Sequence, residues 1–122
     1  MSELTTLIVA EEAVVAAARA RALPPELRRL PGQAGTRVAA LRAEAARTKQ
    51  SPPRAPGGKV ALEAALERAI AAAHAAVQSL DDARTLQVVA RVMAGDGQSL
   101  ALLRLAMNRS PVPDAFETGK AP

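Results

Sequence analysis

The chain contains no cysteine, tryptophan or tyrosine, and only one phenylalanine and one histidine. The missing cysteine excludes disulfides, thiolate metal sites and cysteine nucleophiles. With an aromatic fraction of 1% against an apolar fraction of 49%, the interior must be assembled from Ala, Leu, Val, Ile and Met. Alanine buries little area per residue but lets helices approach closely. No apolar run nears the roughly 20 residues needed to span a bilayer, and the first residues lack the pattern of a secretory signal. A soluble, cytoplasmic chain with no membrane contact is the expectation. No Ser, His and Asp arrangement, phosphate-cradling glycine loop or nucleophile motif is present, and a lone histidine fits ordinary acid-base catalysis poorly.

What is there is enough for one domain. A chain of 122 residues can bury roughly two-thirds of the surface it exposes when unfolded. The formal charge of +4 is unevenly spread: residues 1–59 hold ten Lys and Arg against five Asp and Glu, while residues 60–122 hold six against seven. A basic half can attract nucleic acid or an acidic partner. Without an aromatic platform or a nucleic-acid motif, it reads first as a solvated surface.

Apolar spacing predicts four helices and no strands. In the first, Leu4, Ile8, Glu11, Val15, Ala18 and Ala22 share a face, with Leu7 and Val14 beside it, so Glu11 interrupts an apolar stripe. Pro24 and Pro25 end that helix. A short turn over residues 25–30 precedes Pro31, Gly32 and Gly35, which predict a kink or break in helix two; Val38, Leu41 and Ala45 then face inward, with Arg37 at the edge. The stretch QSPPRAPGG, residues 50–58, holds three prolines and two glycines and reads as a crossover between two helical hairpins. The hairpins are expected over residues 1–49 and 59–109, with a tail at 110–122.

Helix three carries Leu62, Leu66, Ala69, Ile70, Ala73 and Val77 on one face. Ser79, followed by Asp82, has the form of an N-cap for helix four, with Asp81 and Asp82 as capping residues. Leu86, Val89, Met93, Leu100, Leu103 and Met107 form the stripe of that helix, and Asp96 falls inside it between Gly95 and Gly97. Each glycine there costs about 1 kcal/mol relative to alanine, so a close approach or a bend should accompany them. Glu12 and Glu63 read as solvated flank residues, and His74 as a flank or packing residue.

The segment GDGQSLALLRLAMNRSPVPDAFETG closely resembles the last helix and exit of bacterial ferritin-like domain proteins, in which an E-x-x-H motif precedes an LLR-type run and a PVPDAF-type tail. AEEAVVAAARARALPPELRRL and RVAALRAE resemble the first helix, hairpin and second helix of that family. The resemblance implies an all-α, four-helix up-down bundle with one long crossover, and a di-iron or di-manganese centre of four carboxylates and two histidines. It places Glu11, Glu67 and Asp96 at metal-ligand positions, Asp96 being a shorter substitute. The other three places hold Ala34 and Arg37 in helix two and Ser99 in helix four.

Loss of both histidines and one carboxylate leaves too few donors for such a centre. Two inward acids without metal would need another cation, and Arg37 is the candidate to pair with Glu11 or Asp96. The expected role is therefore structural: a homo-oligomer or partner-binding subunit with a degenerate site and no cofactor. An iron- or manganese-binding protein using Glu11, Glu67, Asp96 and His74 is the alternative, and a basic module that binds nucleic acid a weaker one.

Overall fold

A computed structural model describes residues 2–20, 22–50 and 61–107; the expected tail at 110–122 and nearly all of the crossover lie outside the described residues. Within them the protein is helical throughout: α1 (Glu3–Arg19), a 3-10 turn (Pro25–Leu27), α2 (Leu30–Arg47), α3 (Leu62–Ser79) and α4 (Ala83–Ala106). Most of the packing is between α1 and α3, α3 and α4, and α1 and α2, with α2 and α4 closing the ring more loosely. No helix among the described residues is long and apolar enough to cross a membrane.

Local chemistry sets the ends. Ser2 caps α1, its hydroxyl accepting the Thr5 amide at 3.2 Å. Asp82, not Ser79, caps α4, accepting the Thr85 amide at 2.9 Å; Ser79 is the last residue of α3, and its hydroxyl donates back to the Ala75 carbonyl. Helix two also departs from expectation. Pro31 occupies its first turn, where a missing amide hydrogen costs nothing, and the helix runs unbroken through Gly32 and Gly35. The interruption comes earlier, at the turn joining Leu27 to Leu30. At the other end Lys49 adopts φ of 59°, and the Gln50 amide donates to the Ala45 carbonyl at 2.8 Å, a left-handed closure of the helix end.

The core falls into two apolar layers. One gathers Leu4, Leu7, Ile8, Leu41, Ala45, Ala73, Ala76, Val89 and Val92. The other gathers Val14, Ala17, Ala18, Leu27, Leu30, Ala34, Leu62, Leu66, Ala69, Ile70, Leu100 and Leu103 among others. Both are aliphatic and alanine-rich, as the composition required. Three helices pass from one layer to the other through a charged residue: Glu11 in α1, Arg37 in α2 and Asp96 in α4. Two positions expected on the inner faces, Val77 and Met107, are instead 43% and 41% exposed; Val77 lies in the last turn of α3 and Met107 at the C-cap of α4.

Candidate functional site: a buried carboxylate and arginine layer

Glu11 and Asp96 are fully buried at 0% exposure. Arg37 reaches between them from α2, its Nε 3.1 Å from Asp96 Oδ1 and 3.7 Å from Glu11 Oε2. Its Nη2 donates weakly to Ser99 Oγ at 3.5 Å. Gly95 makes this reach possible: a Cβ there would lie 3.0 Å from Arg37 Nη1 and 3.2 Å from its Cδ. A glycine inside α4 thus sacrifices about 1 kcal/mol of helix propensity to admit a guanidinium beside Asp96.

The pairing is one of charge proximity, since the Nε–H is not aligned on either carboxylate and all four carboxylate oxygens lack a directed hydrogen bond. Unsatisfied buried oxygens are costly, and a proton is the simplest remedy. Burial pushes Glu11 well above the ordinary carboxylate range, and the neighbouring Asp96 adds to that push, while Arg37 opposes it. Asp96 is also raised by burial, with Glu11 and Arg37 pulling it back. One cation cannot balance two anions. Both carboxyls therefore hold a proton more readily than free ones, Glu11 the more strongly raised of the two, and Arg37 lies nearer to Asp96.

Glu67 does not join this layer. It is 1% exposed and accepts a hydrogen bond from Arg104 Nη2 at 2.6 Å, and the same nitrogen lies 3.4 Å from Glu63. Glu63 is therefore part of an ion cluster on α3 and α4 rather than a purely solvated flank. Glu12, half-buried, is likewise paired, with Arg42. His74 is half-buried on α3 and belongs to no metal-holding set: among the described residues no three His, Asp or Glu side chains come together as one.

A further cluster was not anticipated. Glu44 is buried in α2 and meets Arg47 Nε at 2.9 Å, Arg84 Nε at 3.3 Å and Thr85 Oγ at 3.2 Å. Arg47 also donates to Asp82. The available signal was spacing alone, because Glu44 follows Leu41 by three residues and adjoins Ala45, placing it on the inward face.

The residues present do not fit a di-metal centre. Arg37 stands among the carboxylates where a metal would be needed, Ala34 contributes only a methyl group, Ser99 a hydroxyl, and Glu67 is taken by Arg104. No protein-family model, no curated protein and no solved structure matches the chain.

Proposed function

We propose that this protein is a ferritin-like helical bundle in which an internal arginine replaces the metal centre, and that it serves as a structural, self-associating subunit rather than an oxidase or iron store. The observation that carries this reading is the Arg37 guanidinium lodged between Glu11 and Asp96. A cation fixed covalently to α2 supplies part of the charge that a metal would otherwise bring.

Cross-helix pairs support the ferritin-like topology. Ser2 meets Gln50, which joins the start of α1 to the end of α2. Arg37 meets Ser99 and Glu44 meets Thr85, so α2 and α4 run in opposite directions. Glu67 meets Arg104, joining the start of α3 to the end of α4. A chain with these pairings needs one connection spanning the bundle between α2 and α3, and the Pro- and Gly-rich segment 50–58 is suited to it. Self-association is supported by Leu102 and Leu105, exposed at 38% and 55% one turn apart near the end of α4.

Protein from cultures supplemented with iron and manganese provides the test, read by light scattering and elemental analysis. The expected result is a multimer without stoichiometric metal. About two metal ions per chain would overturn the replacement of metal by Arg37, and a monomer at high concentration would overturn the structural role.

A further inference from the structure

Beside the buried layer, a half-open cleft of about 720 Å³ runs between the turn at Pro25–Leu30 and the outer face of α4. Four arginines line it, Arg28, Arg29, Arg37 and Arg91, with Glu26 the one carboxylate among the lining residues. Arg37 is already engaged with Asp96. The other three have no carboxylate within 4.0 Å among the described residues. This contrasts with Arg42, Arg47, Arg84 and Arg104, each of which is paired. Arg19, Lys49 and Arg68 also lack such a partner among the described residues, but none of them lines this cleft; Arg28, Arg29 and Arg91 differ in sharing one cavity.

Arg91, Gly95, Gln98 and Leu102 recur at helical spacing along α4 and form one wall. Arg28 and Arg29 line the cleft from the turn, and the buried Ser99 and largely buried Arg37 also border it. Three like charges facing one space repel one another, and an anion between them would turn that repulsion into attraction. Guanidinium forks match phosphate and carboxylate oxygens in pairs. The volume lies within the range of roughly 300–1,000 Å³ typical of small-molecule sites. The lining has no aromatic side chain on which a base could stack, which disfavours single-stranded nucleic acid.

We propose that this cleft is a binding site for a small organic anion bearing at least two negative charges, of the phosphate-ester or polycarboxylate type, held by Arg28, Arg29 and Arg91. The site lies outside the carboxylate layer and does not depend on the loss of a metal centre. Arg91 grips from α4, the arginine pair grips from the turn, and Gln98 supplies a neutral hydrogen-bonding group at the rim.

Calorimetric titration of the intact protein with inorganic pyrophosphate, and separately with citrate, at low ionic strength tests the assignment. Saturable binding at one site per chain is expected for at least one of the two. Arg91→Gln should weaken it at least tenfold, whereas Arg68→Gln, on the exposed face of α3, should leave it unchanged. Urea midpoints for both variants equal to that of the parent show that the fold is intact. Three results would each overturn the proposal: no saturable binding of either anion, equal weakening by the two substitutions, which is diffuse charge attraction, or a short RNA displacing the bound anion at lower concentration than the anion itself requires.

Discussion

The middle of the bundle and its α2–α4 end use the same chemistry with opposite results. In the middle, Glu11 and Asp96 share Arg37, and all three are cut off from water or nearly so, at 0%, 0% and 11% side-chain exposure. At the end, Glu44 exposes almost as little surface, 6% of its side chain, but it lies under partners that face water, Arg47 and Arg84 being 36% and 71% exposed. Glu11 is driven up by burial. Burial also pushes Glu44 upward, yet the hydrogen bonds and charges of Arg47, Thr85 and Arg84 outweigh it and leave the group below its ordinary value. What separates the two is the ratio of cations to carboxylates and the hydration of the cations, together with the position of Glu44 at the edge of the bundle rather than in its middle. Two cations and a hydroxyl serve Glu44; one cation divides itself between Glu11 and Asp96.

The sharpest way to break this contrast is to remove the shared cation. Arg37→Met is expected to cost about 3–5 kcal/mol, the usual consequence of stranding a buried charge, seen as a lowered urea midpoint at neutral pH. A loss below about 1 kcal/mol, the range of a surface pair, would place Arg37 with the end cluster instead.

The pH dependence sharpens the contrast next, because the two regions contribute opposite slopes. Glu11 binds its proton more tightly in the folded state. Its contribution is therefore full below the ordinary carboxylate pKa and is lost as pH rises toward the raised folded value, with a slope of at most about 1.4 kcal/mol per pH unit. Glu44 does the reverse: its contribution is present above the ordinary value and is lost as pH falls through its lowered folded value. Glu11→Gln should flatten the alkaline arm of the stability profile and leave the acid arm in place. An unchanged alkaline arm would show that Glu11 is ionised in the fold.

The smallest effect is expected at the end cluster. Glu44→Gln should cost less than about 1 kcal/mol at low salt, shrink as salt is added, and shallow the acid arm, since its arginines keep access to water. A larger, salt-independent loss would mean that the two regions do not differ as described.

Much of this was legible in the chain, and the reason is periodicity. Leu4, Ile8 and Val14 announce a stripe that Glu11 interrupts, and Asp96 interrupts the stripe of Val89, Leu100 and Leu103 in the same way. Both acids are buried. Pairing across helices was harder to read. Glu67 resembles a ligand by position, yet Arg104, one helix away, claims it, and Glu44 gave no signal beyond its register. The proline at position 31 misled for a local reason: the same residue ends a helix from within and opens one from its first turn. Only the position of the preceding turn, at Arg28 and Arg29, decides between them.

The central claim is that Arg37 is the internal counter-ion of the bundle. It is tested most directly by a double-mutant cycle of Arg37→Met and Asp96→Asn, measured by urea unfolding at neutral pH. The two losses are expected not to add, with a coupling above about 1 kcal/mol because each substitution removes the other's partner. Losses that add to within about 0.3 kcal/mol, the behaviour of independent sites, would contradict it.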